Sequence, residues 1–170
     1  MNYDLFRKSG DACIVNLGHP TKAARVFERL YGIPIVRPDE IGKYGIVMFS
    51  LVSFRDFESV ARIAHLKTEG QEWIAGGNAA TNSVGINWIM DYVWIGDAFM
   101  AMREILSGLR DHPSMLKCSD IHPVSYHNEP IFQDPISKSE ILLSKGCVRR
   151  CLFCVHGFRE DYMEHSSQKE

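Results

Sequence analysis

An α/β fold built on a doubly wound parallel sheet is predicted for residues 1–110. Short apolar runs rich in β-branched residues alternate there with amphipathic segments. Glycine or proline punctuates most junctions between them. The most apolar run, residues 44–52, has the continuous hydrophobicity of a strand covered on both faces. Right-handed crossovers between parallel strands then favour a flavodoxin-like (Rossmann-like) order.

Residues 12–17 read as the first strand, broken by Gly18-His19-Pro20. Thr21 suits the N-cap of a helix from Lys22 to Tyr31, in which Ala23, Val26, Phe27 and Leu30 recur at helical spacing and which Gly32 ends. Residues 33–37 form a second strand, and Pro34 assigns it to an edge. Residues 44–52 lie centrally, and a helix over 56–66 gathers Phe57, Val60, Ala61, Ile63 and Ala64 on one side. Residues 72–77 make a fourth strand running into a glycine-rich turn, whereas 78–88 fit no period well and read as a poor helix. Residues 91–96 form a fifth strand, after which Asp97 caps a helix to Leu109 that buries Phe99, Met100, Met102, Ile105 and Leu106. The three tryptophans and the Met100/Met102 pair read as core.

Composition narrows the class. The chain has 170 residues, 45% hydrophobic and 24% charged, which excludes wholesale disorder and a disulfide-rich miniprotein. A formal net charge of −2 and a pI near 6.4 give no whole-chain case for binding nucleic acid or an anionic membrane. No apolar stretch reaches the ~18–20 residues that span a bilayer, and the first ten residues lack the apolar core of a secretory signal. A cytoplasmic location is the expectation.

Character changes over residues 111–138, which hold four of the seven prolines (Pro113, Pro123, Pro130, Pro135) together with His112, His122 and His127. This window reads as a linker with at most a short strand near 121–126. Residues 140–144 then look like a new strand leading through Lys145-Gly146 into Cys147, so that 139–170 begin a second unit.

Five cysteines are unevenly spread. Cys13 and Cys118 stand alone, while Cys147, Cys151 and Cys154 form C-x3-C-x2-C. An odd total without a secretory signal argues against a disulfide framework. Three thiolates this close can converge on one metal centre, because short intervening loops cost little closure entropy. Lys145, Arg149 and Arg150 place positive charge around them, offsetting the charge of a thiolate-bound cluster. Structural zinc needs a fourth protein ligand, which His156, a more distant histidine or Cys118 could supply. A 4Fe–4S cluster held by three cysteines keeps one iron open.

With Phe153 as the aromatic, the segment resembles the C-x3-C-x-aromatic-C loop of radical S-adenosylmethionine (SAM) enzymes, which follows the first strand of a β/α barrel. The resemblance implies a 4Fe–4S cluster on Cys147, Cys151 and Cys154 and a SAM adenine near Phe153. The open iron chelates SAM, and an electron from the cluster cleaves it to a 5′-deoxyadenosyl radical. It also implies an electron donor. A complete barrel takes ~200 residues or more, and here only its first strand and cluster loop are present. The expectation is therefore a fragment, a decayed gene product, or a subunit completed by a separately encoded radical SAM barrel.

The N-terminal unit is similar to the cobalamin-binding domain that precedes the barrel in one radical SAM class. Ser50 and the Gly76-Gly77 pair match that family's serine-to-glycine-pair spacing, and residues 92–98 match its closing strand-to-helix passage. That resemblance implies cobalamin near Ser50, Ser53, Gly76 and Gly77. The family's D-x-H-x-x-G loop is absent; the chain reads Asn16-Leu17-Gly18-His19-Pro20, leaving His19 as the candidate ligand in that loop. The alternative from another class is a non-catalytic Rossmann-like binding or assembly module with a vestigial or zinc-binding cysteine tail.

Overall fold

The run Ala12–Val15 forms strand β1 with all four residues buried, because alternate side chains serve cores on opposite faces of a sheet. The structure, a computed structural model, describes residues 11–120, 124–136, 140–149 and 161–165. It comprises two units, Met1–His127 and Asn128–Glu170.

In the first unit β1 leads to helix α1 (Lys22–Tyr31). Thr21 caps α1, its Oγ1 accepting from Ala24 N at 3.1 Å, and Gly32 closes it in the left-handed region at φ 66°, donating to Glu28 O. Strands β2 (Ile35–Val36), β3 (Ile46–Ser50), β4 (Glu72–Gly76), β5 (Tyr92–Trp94) and β6 (Met115–Lys117) complete a six-stranded sheet ordered β2-β1-β3-β4-β5-β6. The first five run parallel and β6 is antiparallel to β5. The unit is thus α/β with a mainly parallel, Rossmann-like sheet. β2 is an edge and β3 lies between β1 and β4, as the proline and the apolar run predict.

Helices cover both faces. Ala24 and Phe27 of α1, with Met102, Ile105 and Leu106 of helix α3 (Met102–Leu106), pack on Ile14, Met48, Ile74 and Trp94. On the other face Val60 of helix α2 (Arg55–Ile63), with Ile41, Ile86 and Ile89, packs on Cys13, Val47, Phe49, Trp73 and Val93. Among the described residues no helix is long and apolar enough to cross a membrane.

Three expectations change. Residues 78–88 are two short 3-10 turns, Ala79–Thr81 and Ser83–Gly85, and Trp88 is 63% exposed, its Nε1 donating to Gly85 O. Asp97 is not the N-cap of α3, which begins five residues later with Ala101 in that place, and Met100 is 64% exposed; the Asp97 amide donates to His127 O at 2.8 Å. The linker window contributes β6, and His127 adds a parallel bridge to Gly96. Gly96 has φ 114°, and a Cβ there would lie 2.2 Å from His127 O, so only glycine admits this crossing. Part of the expected strand near 121–126 lies outside the described residues.

The second unit holds a two-stranded antiparallel sheet, β7 (Ser144–Lys145) with β8 (Met163–Glu164), registered Ser144↔Glu164 and Lys145↔Met163. His165 N extends it by donating to Leu143 O at 2.7 Å. The strand therefore starts later than residues 140–144 suggest; Ile141 and Leu143 stay exposed.

Candidate functional site

In open parallel sheets, ligands bind beyond the carboxyl ends of the strands where strand order reverses. Here that reversal falls between β1 and β3. Ser50 ends β3 in register with Gly76, which ends β4, and Leu51 N donates to Gly76 O at 2.8 Å. Thr21 Oγ1 donates to Ser50 Oγ at 2.7 Å, tying the cap of α1 to the end of β3. Asn16 Oδ1 accepts from Gly18 N at 3.1 Å and shapes the β1–α1 loop, on which His19 is exposed.

The two glycines differ physically. Gly77 has φ 99°, and a Cβ on it would lie 2.4 Å from Leu51 O, so the chain's own backbone requires glycine. Gly76 is half-buried, and a Cβ there would meet nothing closer than Trp94 at 3.9 Å. Of the two, only Gly77 is required to be glycine by the packing of the chain on itself. Ser53 is exposed and serves the start of α2: its N–H and that of Val52 donate to Asp56 Oδ2 at 2.9 and 2.7 Å. Ser50, Gly76 and Gly77 are thus brought together, with Ser53 and His19 on neighbouring loops.

Sequence reasoning missed a ring cluster at the end of β5. The His112 ring stacks on Trp94 at 4.9 Å, the His127 ring meets Trp94 edge-on at 5.1 Å, and the two imidazoles are 5.3 Å apart. His112 Nδ1 accepts from Ser114 N at 3.0 Å. These histidines stand in the proline-rich window, and only the return of the chain across β5 reveals their neighbourhood.

Cys13 is buried and Cys118 half-buried, both free of disulfides. Burial pushes the Cys13 thiol up to about 12 and Cys118 to about 11, with the Asp91 charge adding to the second shift and Lys67 opposing it. Burial thus disfavours the thiolate at both positions.

Cys147 is half-buried and unpaired by disulfide, one residue beyond β7 after Gly146. Cys151, Cys154, Phe153 and His156 lie outside the described residues. Among the described residues no three His, Cys, Asp or Glu side chains converge on a metal position. The donor set itself, three thiols in C-x3-C-x2-C, fits an iron–sulfur cluster or zinc. The β7–β8 pairing joins residues 144–145 to 163–164, on either side of the cysteine run in the sequence. Gly146 makes the approach possible: its φ is 76°, and a Cβ would sit 2.6 Å from Asp161 O and 3.0 Å from Tyr162 Cα. Lys145 Nζ donates to Glu129 O, anchoring β7 to the preceding chain.

No family model, curated protein or solved structure matches the chain.

Proposed function

We propose that the chain is the N-terminal, cluster-bearing part of a radical SAM enzyme. Cys147, Cys151 and Cys154 hold a 4Fe–4S cluster, with Phe153 beside the adenine of SAM; the bound cluster supplies the electron that cleaves SAM. The observation that carries this reading is the C-x3-C-x-aromatic-C spacing entered from a strand through Gly146. In this reading β7 is the first strand of the barrel, and an electron donor serves the cluster. Thiolate ligation suits the reducing cytoplasm. The Rossmann-like unit holds cobalamin against Ser50, Ser53, Gly76 and Gly77, with His19 as candidate ligand. The position of Ser50 at the end of β3, next to the strand-order reversal between β1 and β3, supports that placement.

One observation favours the second reading, a non-catalytic module with a zinc-binding tail. β7 and β8 flank the cysteines as an antiparallel pair, whereas successive barrel strands run parallel.

Anaerobic purification followed by iron and sulfide reconstitution separates the two. The expected result is four irons and four sulfides per chain, with broad visible charge-transfer absorbance. Replacing any of Cys147, Cys151 or Cys154 by Ala lowers iron content at least tenfold, while Cys118→Ala leaves it unchanged. Zinc retained in place of iron selects the module reading. Hydroxocobalamin added to the same preparation shifts its spectrum on binding; an unchanged spectrum removes cobalamin.

A further inference from the structure

We propose that the Rossmann-like unit carries a self-association surface beside the ends of β3 and β4, and that its occupant is a second copy of this chain. Val52 and Phe54, in the loop between β3 and α2, are 58% and 66% exposed. Val84 and Trp88, in the segment after β4, are 76% and 63% exposed. These four side chains belong to one patch. The Phe54 ring meets Phe57 edge-on at 5.6 Å, and a Cβ on Gly85 would lie 2.6 Å from the Phe57 ring, so the turn at Gly85 rests directly on it. Trp88 Nε1 donates to Gly85 O at 3.2 Å, which holds the indole to the same turn and satisfies its one polar atom. The exposed indole therefore offers hydrocarbon to a partner and needs nothing from water at its N–H.

Both loops are ordered by their own backbone. Val52 N and Ser53 N donate to Asp56 Oδ2, Ala79 N donates to Leu51 O at 3.1 Å, and Ile86 N donates to Ser83 O at 2.9 Å. A surface already held in shape loses little entropy on docking. Area and charge select the occupant. The four side chains present on the order of 400 Å² of apolar surface, the size of a functional patch on a monomer. Two such faces with their polar rims bury about 1,000 Å², the lower bound for a specific interface, so the dimer is weak and reversible. Residues 73–90 carry no charged side chain, and Asn82 and Asn87 are exposed there. On the other loop Arg55 and Asp56 are opposite in sign, and Glu58 and Arg62 pair with each other at 2.6 Å. A two-fold contact sets the same patch against itself, and a face without net charge meets its copy without repulsion. It offers no complement to a strongly charged partner.

Sedimentation velocity of the full chain from micromolar to near-millimolar concentration tests this, with reductant and chelator present to silence the cysteines. The wild type is expected to pass from monomer to dimer across that range. Val84→Lys and Val84→Glu each weaken association about tenfold or more. Val84 is 76% exposed, so the fold tolerates either charge, and thermal unfolding by circular dichroism verifies that each variant is folded before it is scored. An equal mixture of the two variants associates more tightly than either alone, because opposite charges then meet across the two-fold axis. Trp88→Ser weakens association without adding a charge. A wild type that stays monomeric throughout removes the second copy as occupant and overturns the proposal. So does a dimer that neither Val84→Lys nor Trp88→Ser weakens, which would locate the contact elsewhere. Either result leaves the cysteine-loop reading untouched.

Discussion

Gly77→Ala is expected to destabilise the Rossmann-like unit by about 3–5 kcal/mol and lower its melting temperature by roughly 10–20 °C. Two costs combine. A φ of 99° is a conformation that L side chains rarely adopt, at about 1–3 kcal/mol. The new methyl would also sit 2.4 Å from the carbonyl oxygen of Leu51, a backbone atom that cannot swing aside. Leu51 is held from both directions, its N–H donating to Gly76 O and its carbonyl accepting from Ala79 N at 3.1 Å. Relieving the clash therefore parts the ends of β3 and β4. Gly76→Ala supplies the contrast, since its Cβ has 3.9 Å of clearance and no positive φ is involved; its cost should stay within about 1 kcal/mol. Thermal unfolding followed by circular dichroism decides, and equal melting temperatures for the two variants would refute the assignment of backbone necessity to Gly77 alone.

Gln71→Leu should cost a similar amount, about 3–5 kcal/mol. Gln71 is buried at the start of β4, and its amide uses every hydrogen-bonding position it has. Nε2 donates to Ile41 O at 2.8 Å and to Tyr44 O at 2.9 Å. Oε1 accepts from Thr68 N at 3.1 Å and from Trp73 Nε1 at 3.2 Å. Leucine matches the volume and removes all four bonds, leaving two carbonyls and two N–H groups without this partner. Each such group costs about 1–3 kcal/mol when it stays dry, and water can relieve those nearer the surface. Gln71→Glu restores shape but directs carboxylate oxygens at two carbonyls. Burial and those carbonyls raise the carboxyl pKa in the folded state, so this variant gains stability as pH falls and loses it as pH rises. Urea unfolding at mildly acidic and mildly alkaline pH measures both effects. A Gln71→Leu protein as stable as wild type would show that the amide is not the hub of this corner.

What could be read from sequence is what local chemistry controls. The Thr21 cap, the left-handed Gly32, the proline-marked edge at β2 and the apolar run of β3 each follow from neighbouring residues. β6 was not legible, because three residues pairing antiparallel with β5 leave no periodic trace and depend on a distant partner. The start of α3 at Met102 was not legible either: Gly96 and Asp97 are engaged by His127, thirty residues on from Asp97, a contact with no local trace. Trp88 and Met100 have core-like chemistry but fall in turns that point them outward. At the crevice, the pairing of Ser50 with Gly76 emerges only once β3 and β4 are in register. The cysteine spacing is visible in the sequence, whereas the β7–β8 ladder rests on two residue pairs far apart in the chain.

The central claim, three thiolates and one open iron, is tested most directly by electron paramagnetic resonance of the reconstituted, reduced chain with and without SAM. The expected result is a 4Fe–4S signal that shifts when SAM is added and is lost in Cys147→Ala, Cys151→Ala and Cys154→Ala. A zinc-loaded protein with no iron signal, or a cluster signal indifferent to SAM, contradicts it.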